Sequence, residues 1–207
     1  MILFEANAII CILSLLLLKT AAVTTVRTGK DFLMKKVTMA LMLFALCSCA
    51  SNQIALTESF DETAAEKQIY KEGKNVIEGS AVWREKNGNI QKCSGYQVSL
   101  YPITKYAEER VNHLYGNLQR GAREAKKEKI VFVPDEIMFH KLSKKTICDV
   151  DGKFAFEDVA DGDYFAVTKI LWGNPEKPEE QTEGGNLMQK VSVKGGKKIK
   201  IVLSPYL

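Results

Sequence analysis

The stretch TICDVDGKFAFEDVADGDYFAVTKILW, from Thr146 to Trp172, decides the fold. Phe154 and Phe156 alternate with Lys153, Ala155 and Glu157, and after a turn at residues 160–163 the series resumes with Tyr164, Ala166, Thr168 and Ile170. A period of two, rich in aromatic and β-branched residues, marks strands with one face buried. The Gly and Asp residues between the runs supply turn chemistry, so the stretch predicts two successive strands.

Working outward, the same period appears on both sides. Val191 and Val193 alternate ahead of Gly195 and Gly196, and Ile199, Ile201 and Leu203 alternate after them. Toward the N-terminus, Val76, Ile77, Gly79, Ala81 and Trp83 begin a strand that ends at Asn87, Gly88 and Asn89, an Asn-Gly hairpin cue. Tyr96, Val98 and Leu100 alternate with Gln97, Ser99 and Tyr101, and Pro102 ends that strand or marks an edge. Further strands are predicted at Ile130–Val133 and around Ile137–Leu142. Between Tyr106 and Lys129 the period becomes 3.6: Val111, Leu114, Tyr115, Leu118, Ala122 and Ala125 share one face, and Thr104 suits an N-cap. Gly116 and Gly121 weaken that helix. The expectation is a mainly β protein, a sandwich of about seven strands with one inserted α-helix.

Asp149, Asp151, Gly152, Phe154, Phe156, Val159, Gly162, Tyr164 and Val167 resemble the D-x-D-G-x-F-x-F-x-x-V-x-x-G-x-Y-x-x-V core of carboxypeptidase regulatory-like domains. The resemblance spans about residues 76–204 and implies a seven-stranded, transthyretin-like, Greek-key β-sandwich over residues 76–207, with the helical insertion as a departure. That family module has no peptidase centre. The resemblance therefore implies a domain that binds, presents or accompanies, with no catalytic residues and no cofactor.

A second stretch places the molecule. MKKVTMALMLFALCSCAS, Met34–Ser51, runs from a basic patch at Lys35 and Lys36 through an apolar segment to small residues and a cysteine. That order is an export signal, and its apolar run is well short of the roughly twenty residues that span a bilayer. Leu46, Cys47, Ser48 and Cys49 resemble the lipobox of bacterial lipoproteins, which implies cleavage after residue 48 and a diacylglycerol on Cys49. Two or more acyl chains anchor a protein stably. Ala50 stands where that family places Asp for inner-membrane retention, so the periplasmic face of the outer membrane is the expected location. Residues 34–48 are then the signal peptide. Residues 1–33, apolar from Ala6 to Leu18 but led by Glu5, read as an over-long start or as an extra hydrophobic leader. Residues 49–75, polar and without sustained alternation, read as a flexible tether.

The chain of 207 residues carries 29 basic and 25 acidic side chains. Five of those basic and two of those acidic residues precede Cys49, leaving 24 against 23, so composition gives no support for nucleic-acid binding. Cys93 and Cys148 are the pair left over in an exported domain, and an oxidising compartment favours their disulfide, with two separately buried thiols as the alternative.

Few residues suggest chemistry. Asp149, Asp151, Asp161 and Asp163 invite a calcium reading, but the twelfth position counted from Asp149 is Ala160, where an EF-hand needs a bidentate Glu; turn roles and no metal are expected. His113 and His140 have no nucleophile context, so no enzyme is expected. Trp83, Tyr96, Tyr101 and Tyr164 are expected in the core, with Trp172 as the exception and an aromatic sugar platform of all five as the competing use. Trp172 opens an acidic loop, Gly173–Gly185, and Trp172, Glu176, Glu179 and Glu180 are the candidate partner-binding residues. The sequence reading is thus a membrane-anchored, non-catalytic binding or assembly module with an envelope protein as partner. The second reading is an accessory carbohydrate- or peptidoglycan-binding lipoprotein associated with a hydrolase.

Overall fold

A computed structural model describes residues 52–173 and 183–205. The chain folds as β1 (Gln53–Ala55), α1 (Glu62–Tyr70), β2 (Asn75–Arg84), β3 (Ile90–Lys92), β4 (Gln97–Pro102), α2 (Lys105–Tyr115) and β5 (Arg120–Glu124). There follow β6 (Val131–Val133), α3 (Ile137–Lys141), β7 (Lys144–Ile147), β8 (Lys153–Val159), β9 (Gly162–Trp172), β10 (Glu183–Val193) and β11 (Lys198–Leu203).

Two sheets face each other. One has the order β5-β10-β9-β4-β7; in the other, β2 pairs with β11 in parallel, with β8 antiparallel and, further along, with β3. The alternation in the sequence becomes the space between them: Ile77, Ala81 and Trp83 of β2 and Phe154, Phe156 and Val159 of β8 meet Val98, Leu100, Tyr164, Ala166, Ile170 and Leu187 from the facing sheet. Each large apolar side chain buried there contributes about 1.5–3 kcal/mol. The mainly β sandwich is as expected. Cys93 and Cys148 form the disulfide, with Cα atoms 5.7 Å apart. Tyr164, fully buried, donates its hydroxyl hydrogen to the Ala160 carbonyl at 3.0 Å, a tyrosine corner that fixes the β8–β9 turn.

Three expectations are corrected. The helix predicted to Lys129 stops at Tyr115, because Gly116 takes a left-handed conformation (φ 66°) and closes it; residues 120–124 then join β10 as a strand. Gly121 is required there, since a Cβ would come within 2.4 Å of Tyr115 Cβ. Thr104 does cap this helix, accepting from Ala107 N at 3.2 Å. Residues 137–141, predicted as strand, form a short helix, and the strand follows it at 144–147; a brief apolar run carries no decisive period. The described part of the expected tether, 52–75, is laid onto the domain. Asp61 caps α1 by accepting from Ala64 N at 2.9 Å, Ala65 and Ile69 are buried, and β1 pairs in parallel with β6. Three helices therefore stand among the described residues instead of one.

Candidate functional site

The aromatic residues divide. Trp83 is 7% exposed and meets the partly buried Trp172 edge-on at 6.1 Å between ring centroids. Trp172 also lies over Gly184, whose φ of 87° and closeness to the indole (2.5 Å from an added Cβ) demand glycine. Tyr96 donates its hydroxyl hydrogen to the Leu171 carbonyl at 2.8 Å. Tyr101 is elsewhere, stacked on Phe139 with centroids 4.9 Å apart, and Tyr164 is held in its corner. Burial pushes the phenol pKa of both Tyr101 and Tyr164 up. These five residues therefore fill packing positions and form no shared platform. Glu176, Glu179, Glu180 and Cys49 lie outside the described residues.

The four aspartates are not gathered either. Asp149 Oδ1 accepts from the backbone N–H groups of Asp151 (2.9 Å) and Lys153 (2.8 Å), shaping the β7–β8 turn. Asp161 Oδ1 accepts from Asn75 Nδ2 and from Gly195 N, both at 2.9 Å, and these bonds, the Asn75 one first, hold its carboxyl pKa below the ordinary value. Among the described residues no group of three or more His, Cys, Asp or Glu is placed to hold a metal ion. His113 lies beside Phe132, and His140 faces Asp135 at 3.0 Å.

What the structure assembles, unannounced by any motif, is a groove on the outer face of β8, β2 and β11. Register sets Ser80 beside both Lys153 and Val202, and Glu78 beside both Ala155 and Lys200. Strand alternation turns these six side chains away from the core. The groove measures about 630 Å3. Its middle is low because Ser80 and Ala155 are small, and its rim is built from Lys153, Lys200, Val202 and, in the β7–β8 segment, Ile147 and Asp149. Glu78 is ionised, because the bond from Lys198 at 2.6 Å lowers its pKa. Lysine donors and a carboxylate thus flank a low floor made by Ala155 and by Ser80, whose hydroxyl is part of that floor. Such a surface can hydrogen-bond a polyhydroxylated ligand and cover its C–H faces. Neither histidine lines it.

No family model and no curated protein matches the chain. A solved structure from Pseudomonas aeruginosa, described as a "putative carbohydrate binding protein", is similar to this chain with a TM-score of 0.55 and 26% sequence identity, over 72% of this chain and 98% of that one.

Proposed function

We propose that the protein is a lipid-anchored, non-catalytic binding module of the cell envelope, held at Cys49, whose groove on β8, β2 and β11 takes a carbohydrate. The observation that carries the ligand class is the groove itself, where donors and acceptors spaced across three strands flank a low floor of Ala155 and Ser80. The likeness to the Pseudomonas protein supports the same class. The lipobox supports the anchor, and the resemblance to carboxypeptidase regulatory-like domains, modules without a peptidase centre, supports binding without catalysis.

The test is a glycan array, peptidoglycan fragments included, followed by calorimetric titration of the strongest binder. Ala155 is exposed and points outward, so Ala155→Glu fills the groove without touching the core. Its expected effect is an affinity loss of about tenfold or more, from steric exclusion and a desolvated charge. Equal affinity in the variant would take the site out of the groove. An array without binders, together with capture of an envelope protein, would assign the module to a protein partner.

A further inference from the structure

The expected tether is too short to keep the domain away from the bilayer. Asn52, three residues after Cys49 in sequence, already has its carbonyl accepting from Val131 N at 3.0 Å. Three residues reach no more than about 11 Å even when fully extended. Beyond them, Leu56 N donates to Val133 O at 2.8 Å, and Glu109 accepts from Thr57 N, Thr57 Oγ1 and Glu58 N at 2.9–3.1 Å. The segment that leaves the domain toward Cys49 is therefore pinned at both β6 and α2.

Around this exit exposed aliphatic side chains stand among charged ones, with Glu128 accepting from the Asn52 side chain at the exit itself. The β1–β6 ribbon is joined to neither sheet. It turns Phe132 inward, while Val131 (40% exposed) and Val133 (47%) project outward beside Gln53 and Ala55. Ile137, 69% exposed, follows at the start of α3, and Lys127 and Lys129 are exposed in the segment leading into β6. Aliphatic residues flanked by charged side chains of both signs, Lys127 and Lys129 with Glu128 between them, match the boundary between acyl chains and headgroups.

We infer that the β1–β6 ribbon and Ile137 form a membrane-resting face, seated on the leaflet that receives the Cys49 acyl chains. This rests on the lipid-anchor reading above. The occupant follows from the length of chain, since Asn52, which bonds to Val131 at the ribbon's edge, lies within about 11 Å of an acylated residue and so close to the bilayer. The ribbon packs on α2 through Phe132 and Arg110, and α2 covers the outer face of the five-stranded sheet. The groove lies on the outer face of the other sheet, so seating the ribbon on the membrane turns the groove away from it.

The test is hydroxyl-radical footprinting by mass spectrometry on the acylated protein, purified after export and reconstituted in vesicles of phosphatidylcholine and phosphatidylglycerol. The reference is the Cys49→Ser chain in solution. Expected is a fall of about fivefold in labelling of Val131, Val133 and Ile137, with Val202, 41% exposed in the groove, unchanged. In the anchored Val131→Glu/Val133→Glu/Ile137→Glu variant, whose changes all sit at exposed positions, the neighbouring Gln53 and Ala55 should label as in solution. An acyl mass present with labelling unchanged at the three residues, or reduced equally at Val202, overturns the docking and leaves the anchor standing. Absence of the acyl mass overturns both.

Discussion

Phe154 and Phe156 between the sheets and Phe132 and Phe139 outside them are equally aromatic, yet they are held by different physics. The first pair belongs to an alternating strand: Phe154 and Phe156 of β8 enter a core that strands of both sheets share, and a bulge at Asp158 (φ 51°) resets the alternation so that Val159 follows them inward. The second pair belongs to short elements, β6 and α3, gathered around one cation. Arg110, 7% exposed, sets its guanidinium carbon 4.3 Å from the Phe132 centroid, 4.9 Å from that of Phe139 and 5.5 Å from that of Tyr106. It also donates to Asp135 Oδ1 at 2.7 Å and to the Tyr106 hydroxyl at 3.1 Å. The sandwich is thus ordered by repetition, and the outer layer by a single side chain on which the rest converge.

The largest expected effect falls on the sandwich. The Cys93–Cys148 bridge spans 55 residues of sequence, and closing a loop that long in the unfolded chain is worth about 4 kcal/mol. The double substitution Cys93→Ser/Cys148→Ser should lower the melting temperature by about 12 °C in one cooperative calorimetric transition. A separate early transition of the outer layer alone would show that the bridge does not stabilise the sandwich. Next, Arg110→Met removes the convergence point at a cost of about 2 kcal/mol. Hydrogen exchange should speed up at residues 131–141 while β8 and β9 keep their protection. Equal loss in both regions would erase the contrast.

A smaller effect is expected for Thr104→Ala. Losing the cap bond to Ala107 N should cost about 1 kcal/mol, read as a modest shift in the denaturant midpoint. The smallest concerns pH. The backbone bonds from Thr57 and then Glu58 hold the Glu109 carboxyl pKa below the ordinary glutamate value. A lowered folded-state pKa means that this tie is present above the unfolded pKa and lost as pH falls through the folded one. Acidification below about pH 4 should therefore free residues 53–58 to exchange before the sandwich responds, and Glu109→Gln should weaken the tie at neutral pH as well. Exchange at 53–58 that ignores both changes would show that the β1–β6 pairing alone holds the segment.

The same contrast explains what could be read from the sequence. Tyr164, Ala166, Thr168 and Ile170 declared their strand because each second residue meets the same core. The period of Val111, Leu114, Tyr115, Leu118 and Ala122 was genuine, but it crossed a boundary it could not reveal: Leu118 packs under α2, whereas Ala122 faces inward from β5 because β10 pairs with it. In the supposed tether, the Asp61 cap and the Ala65 and Ile69 pair four residues apart were signals too weak against a polar background. The groove was invisible for another reason. Ser80 and Val202 are ordinary outward residues, 122 positions apart, and only the parallel pairing of β2 with β11 makes them neighbours.

The central claim is that a rigid sheet face, and not the tryptophan end of the sandwich, binds the ligand. The most direct measurement is amide chemical-shift mapping of the mature chain titrated with the glycan that the array selects. The account predicts perturbations clustered at Glu78, Ser80, Ala155, Lys200 and Val202. Perturbations clustered at Trp172 and Gly184 instead, with the groove silent, would contradict it.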